Sequence, residues 1–178
     1  MRTVHATLLS FFLMCTSGLS AASTITFTDI YTPSSNVYIN SSIGTTPDFS
    51  FTHNIVIHGF NALTDTLNSI SVALNFMDDN DRATESVKIV FDGANQGTYT
   101  ITSGTALYTA SITASLASMQ TDGLLVVDLK GSSGDFYFLS STVTADATRV
   151  PEPSLGALLG IGIIGLGFAV RKRVACYS

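Results

Sequence analysis

From Ser69 to Phe76 the apolar residues fall at every second position: Ile70, Val72, Leu74 and Phe76 lie on one side, Ser69, Ser71, Ala73 and Asn75 on the other. Side chains of an extended strand point alternately to its two faces, so this spacing builds a strand with one buried face and not the apolar stripe of a helix. Val87, Ile89 and Phe91 repeat the pattern, as do Leu125, Val127 and Leu129, while Phe136 and Phe138 point away from Tyr137.

Turn-forming residues punctuate these runs at Pro33-Ser34-Ser35, Thr45-Thr46-Pro47, Asp78 to Asp81, Asp92-Gly93, Ser103-Gly104, Asp122-Gly123 and Gly131 to Gly134. Each supplies Gly, Pro, Asn or Asp where the chain must reverse. The pattern predicts strands near 24–30, 36–40, 49–58, 67–76, 86–92, 98–102, 106–112, 124–130 and 135–144, with one helical turn over Ala114 to Gln120. Many short strands at this spacing predict an all-β fold, an antiparallel β-sandwich of jelly-roll-like or immunoglobulin-like form, with a closed barrel as the alternative. The order of the strands is not readable from the pattern. Composition agrees: 46% hydrophobic and only 12% charged residues are too apolar for disorder and too poor in charge for a helical bundle.

Between Ser23 and Val150 the basic residues are Arg82, Lys88, Lys130 and Arg149, whereas all of the 13 acidic residues except Glu152 fall in this stretch. Nucleic acid is therefore not an expected partner, because phosphate binding needs clustered Lys and Arg. The two cysteines, Cys15 and Cys176, lie outside the strand-forming region. A disulfide framework and a Cys-ligated zinc site in the domain are both excluded.

The two ends read as targeting segments. Arg2 precedes an apolar stretch from Ala6 to Met14, and the small residues Ser20 and Ala22 stand before Ser23; this is the layout of a secretory signal peptide over 1–22. Met14 before Cys15 does not fit a lipoprotein signal. At the other end Val150-Pro151-Glu152-Pro153-Ser154 precedes an uncharged run from Leu155 to Val170, followed at once by Arg171-Lys172-Arg173. A helix over 155–170 rises about 24 Å, a little short of the roughly 30 Å hydrocarbon layer, a gap that flanking residues and local thinning absorb. Arg171, Lys172 and Arg173 act as a stop-transfer cluster and hold the tail, 171–178, in the cytoplasm. The division predicted is a signal peptide at 1–22, a β-sandwich at 23–145, a linker with the Pro-Glu-Pro motif at 146–154, a transmembrane sorting helix at 155–170 and the basic tail.

Motif, glycine-rich apolar helix and basic cluster, in that order at the terminus, resemble the PEP-CTERM sorting signal. The resemblance covers roughly the last thirty residues. It implies an exported bacterial protein whose Pro151, Glu152 and Pro153 are recognised by an exosortase, an integral-membrane cysteine protease-transpeptidase that removes the helix and tail. It further implies the export machinery as a partner, a transient inner-membrane anchor, and a final place at the cell surface or in an extracellular matrix of polysaccharide. It says little of the domain being sorted.

Within the domain the strongest candidate for chemistry is Asp78-Asp79-Asn80-Asp81 with Glu85, an acidic loop between two strong strands. Calcium takes six to eight oxygens, and such a loop supplies several from one turn. Asp78, Asp79, Asp81 and Glu85 are the expected ligands, with Asp92 and Asp135 as further candidates from neighbouring loops; the spacing is not that of an EF-hand. The bland reading is a solvated acidic hairpin. His53 and His58 stand five residues apart, which on a straight strand puts them on opposite faces and prevents joint metal binding. Tyr31, Tyr38, Tyr99, Tyr108 and Tyr137 either stack on sugar rings or are ordinary strand tyrosines, the simpler reading. No Gly-x-Ser-x-Gly elbow occurs, and no catalytic motif is present to suggest an enzyme.

These observations predict a non-enzymatic structural or adhesive protein of the extracellular polymer matrix, with a calcium-dependent carbohydrate-binding module as the second reading and a secreted hydrolase as the third.

Overall fold

The computed structural model of the chain describes residues 22–42, 48–81, 83–102 and 104–150, together with Gly160 and Ile163. Among these the strands are β1 (Ser23–Tyr31), β2 (Val37–Asn40), β3 (Phe49–Asn54), β4 (Asp65–Asp78), β5 (Glu85–Phe91), β6 (Ala94–Ile101), β7 (Thr105–Ser111), β8 (Leu124–Ser133) and β9 (Asp135–Arg149), with one short helix, α1 (Leu116–Asp122), before β8. They form a compact unit over Ser23–Arg149.

Two antiparallel sheets make up this unit. The first has the order β1-β9-β4-β7, with β2 also paired to β9; the second has the order β3-β8-β5-β6. The long β9 meets β1 along Ser141 to Arg149 and β2 along Asp135 to Phe138, while β4 lies on its other side. The antiparallel sandwich expected from the alternation is the fold, in two sheets rather than a closed barrel.

The alternating residues explain the core. Ile70, Val72, Leu74 and Phe76 of β4, Val87, Ile89 and Phe91 of β5, and Leu125, Val127 and Leu129 of β8 are all buried. Each large side chain so removed from water contributes about 1.5–3 kcal/mol. An aromatic group fastens one end of the sandwich: Phe138 of β9 stacks on Phe51 of β3 at 5.1 Å between ring centroids, and Tyr31 of β1 stacks on Phe51 at 4.4 Å.

Strict alternation fails at one informative place. Phe136 and Phe138 point inward, but so do Ser141, Val143, Ala145 and Ala147. The register between β4 and β9 shifts between Asn75 and Phe76, where Ser140 and Phe138 are their respective partners. This leaves Leu139 as the extra residue of a bulge, and one extra residue exchanges the two faces of everything beyond it. Ser141 is thereby carried into the core.

Several boundaries differ from the sequence reading: β4 extends two residues further at each end than 67–76, and β6 begins at Ala94 where 98 was expected. The strand expected over 49–58 ends at Asn54, whose Oδ1 accepts the Val56 amide at 2.9 Å, and a 3₁₀ turn follows over Val56–His58. Such side-chain bonds offer the backbone an alternative to the ladder. The helical turn lies two residues later than expected and stops at Gly123, at φ +71°, where an added Cβ would come within 2.6 Å of Val56 Cγ2. Residues 146–149, expected as linker, are instead the last residues of β9, paired with both β1 and β4. Asp146 accepts hydrogen bonds from Thr26 and Ser69, which suits its place in the sheet better than a free linker.

The signal segment 1–21 and the stretch 151–178, apart from Gly160 and Ile163, lie outside the described residues, and so therefore do nearly all of the expected signal peptide and transmembrane helix. Among the described residues no helix is long and apolar enough to cross a membrane.

Candidate functional site

The acidic loop expected to bind a cation is brought together. Asp78 is the last residue of β4 and Glu85 the first of β5, so the turn between them carries the chain from one sheet to the other. One carboxylate oxygen from each of Asp78, Asp79, Asp81 and Glu85 lies within 4.8 Å of the others. The turn is shaped by its own side chains: Asp79 Oδ1 accepts the Asp81 amide at 3.2 Å and Asp81 Oδ1 accepts the Ala83 amide at 2.6 Å, with Asn80 at φ 70°. Asp and Asn tolerate that left-handed conformation better than other side chains.

Burial separates the two ends of the loop from its middle. Asp78 is 4% and Glu85 2% exposed, Asp81 is exposed and Asp79 intermediate. Asp78 Oδ1 and Glu85 Oε1 receive no hydrogen bond from an N–H or hydroxyl group. Burial, the negative charge of Asp78, a hydrogen bond with the Asp78 carboxylate and the charge of Asp81 push the Glu85 carboxyl up to about 7. Asp92 and Asp135 do not join this group. Asp92 Oδ1 accepts the Val126 amide at 2.9 Å, and Asp135 accepts the Tyr38 hydroxyl.

A second polar group, which sequence reasoning missed, joins the sheets at the β1 and β3 edge. His53 is fully buried; its Nδ1 lies 2.8 Å from Asp29 Oδ2 and its Nε2 2.7 Å from Ser141 Oγ. His58 Nε2 reaches the other Asp29 oxygen at 2.9 Å. The two histidines thus meet on one carboxylate, contrary to the opposite faces expected, because the chain leaves the strand at Asn54 and turns back. Burial works to raise the Asp29 carboxyl, but the bonds from His58, His53 and the Asn54 amide outweigh it and hold it below its ordinary value. Burial also pushes the His53 imidazole down, against the pull of Asp29. Neutral His53 then donates from Nδ1 to Asp29 and accepts the Ser141 hydroxyl at Nε2. A serine, histidine and aspartate in this order resemble a nucleophile with its base, but Ser141 is completely buried. One signal was in the sequence: Asp29 shares a face with Phe27 and Tyr31, and His53 with Phe51.

The tyrosines do not form one platform. Tyr31 packs inward on Phe51, Tyr99 and Tyr108 pack edge to face at 5.3 Å, and Tyr38 pairs with Tyr137 at 5.4 Å on the outer face of β2 and β9.

No curated protein matches the chain. Among solved structures, a carbohydrate binding module from glycoside hydrolase family 9 (Cel9A) of Ruminococcus flavefaciens FD-1 is 12% identical, with 67% of this chain and 98% of that one covered at a TM-score of 0.45. A family 35 carbohydrate binding module from Clostridium thermocellum is 12% identical over 68% of this chain and 97% of that one, at a TM-score of 0.37. Likeness this slight carries no argument about ligands. The C-terminus is specific where the domain is not. Residues 149–173 match the PEP-CTERM protein-sorting motif, so this chain carries the C-terminal signal of an exported protein sorted to the cell surface.

Proposed function

We propose that the chain is a non-enzymatic structural or adhesive component of the extracellular polymer matrix. The export machinery takes it across the inner membrane, the C-terminal helix anchors it there transiently, and an exosortase acts at Pro151-Glu152-Pro153. The observation that carries this reading is the sorting motif at residues 149–173, placed directly after a folded β-sandwich that ends at Arg149. The sandwich is the cargo, and the motif is its address. The completely buried Ser141 lends no support to the hydrolase reading.

The test is the intact mass of the protein recovered from cells, with its distribution between membrane and medium. A species that begins near Ser23, ends around Pro151 to Pro153 and lies outside the membrane fraction supports the proposal. A species that keeps Arg171 to Ser178 and stays in the inner membrane overturns it.

Calcium-dependent carbohydrate binding is the second reading. What favours it is the Tyr38 and Tyr137 pair, with Tyr38 46% exposed, beside the amide of Asn40, which donates to the Tyr38 hydroxyl at 3.3 Å, and Asp135, which accepts from it. An aromatic face edged by amide and carboxylate suits a sugar ring and its hydroxyls. Retention of the protein on extracellular polysaccharide, lost in Tyr38→Ala, supports this reading; passage of the unaltered protein without delay removes it.

A further inference from the structure

We propose that Asp78, Asp79, Asp81 and Glu85 bind a calcium ion that clamps one sheet of the sandwich to the other. The inference concerns ion binding alone. The carbohydrate reading rests on it, whereas the sorting reading does not.

Acidic turns are common and most are merely solvated. This one differs because two of its carboxylates are buried, each with one oxygen that receives no hydrogen bond from an N–H or hydroxyl group. Asp78 and Glu85 are more than nine-tenths buried, Asp78 Oδ1 and Glu85 Oε1 receive no hydrogen bond from an N–H or hydroxyl group, and both residues belong to the four-carboxylate group. A buried carboxylate oxygen without a donor is costly, and further negative charges beside it raise that cost. A cation in the middle of the group removes the desolvation and repulsion penalties together.

The donor set selects the ion. All the ligating groups are carboxylates, with no nitrogen or sulfur to favour zinc or copper. Four carboxylates offer up to eight oxygens, the number that calcium accommodates in irregular geometry, whereas magnesium demands a tighter octahedron and keeps its waters.

The frame around the group is already built. The Asp79 and Asp81 side chains fold the turn through their bonds to the Asp81 and Ala83 amides. Ser133 Oγ donates to the Thr84 carbonyl at 2.8 Å. Gly134, at φ +62°, brings the turn between β8 and β9 so close that an added Cβ would stand 3.0 Å from Glu85 Cγ. Little reordering is then needed on binding, which favours affinity. Because Asp78 belongs to the first sheet and Glu85 to the second, an ion shared by them opposes separation of the sheets and stabilises only the folded state.

The experiment uses the mature protein recovered from cells and freed of metal with a chelator. Thermal melts are recorded at constant ionic strength without divalent ions, with calcium and with magnesium, and calcium binding is followed by titration calorimetry. We expect one calcium site and a melting temperature raised by several degrees at about millimolar calcium, with a smaller rise in magnesium. Glu85→Gln removes a buried charge and should melt above the metal-free unaltered protein while losing the response to calcium. Asp81→Asn, at an exposed position, should keep the fold and weaken calcium binding at least about tenfold. No calcium heat and no shift in the unaltered protein, an equal rise with magnesium, or a rise that survives in both variants overturns the proposal.

Discussion

Arg149 grips Asp65 with two parallel hydrogen bonds, Nε to Oδ1 at 2.6 Å and Nη2 to Oδ2 at 2.7 Å. The same guanidinium donates to the Gly59 carbonyl at 2.8 Å and lies 5.9 Å from the centre of the Phe27 ring. Asp65 is buried and also accepts the Asn61 amide. The last residue of β9 is therefore fastened to the start of β4, two residues before Pro151. Paired forks of this kind are specific in geometry, and removing one member leaves the other uncompensated. Asp65→Asn should lower the melting temperature by roughly 5 to 10 °C. Arg149 holds the Asp65 carboxyl below its ordinary value of 3.8. Its contribution is thus present above that pH and lost as pH falls through the lower folded value. Acid unfolding curves of the two proteins should converge at the acid end; parallel curves would contradict this assignment.

His53 should make the domain sensitive to mild acid. Its folded pKa lies below the ordinary 6.5, so the unfolded chain takes up the proton first, and stability rises with pH through the interval below 6.5. Asp29, also lowered, acts in the same sense at lower pH. Glu85, which is raised, acts in the opposite sense, so the measurement belongs in the Glu85→Gln background. There the melting temperature should fall between about pH 7 and pH 5, and His53→Gln should flatten that slope. An unchanged slope would place the titration elsewhere.

Phe138 lies at the meeting of the sheets, within 6.4 Å of Tyr31, Phe49, Phe51 and Phe76 by ring centroids, and is fully buried. Phe138→Ala should cost about 3–5 kcal/mol, read from the denaturant midpoint. Phe138→Leu, which retains most of the volume, should cost less than half as much. Equal losses would mean that the ring is not packed as described.

Two glycines separate backbone strain from collision. Gly97 has φ +96° and Gly123 φ +71°, but an added Cβ at Gly97 meets nothing within 4 Å, whereas at Gly123 it meets Val56 Cγ2 at 2.6 Å. Gly97→Ala should lose about 1–2 kcal/mol from the left-handed conformation alone. Gly123→Ala should lose clearly more in the same denaturant experiment. The opposite ranking would refute the packing of the turn before β8 against the 3₁₀ turn.

What the sequence determined by itself was local or terminal. Alternation of apolar and polar residues needs only the geometry of one strand, and it located β4, β5, β8 and most of β9 together with the sandwich class. The sorting signal is likewise a linear arrangement, legible before any folding. The acidic loop was legible because its four carboxylates are near neighbours in the chain. Tertiary structure alone decided that Asp78 and Glu85 are buried and belong to different sheets, since alternation says nothing about which strands pair. It alone brought Asp29, His53 and Ser141 together from three strands. That meeting depends on the bulge at Leu139, which turns Ser141 inward. Strand order and bulges follow from how two sheets fill the space between them, a property of the packed whole that no single segment encodes.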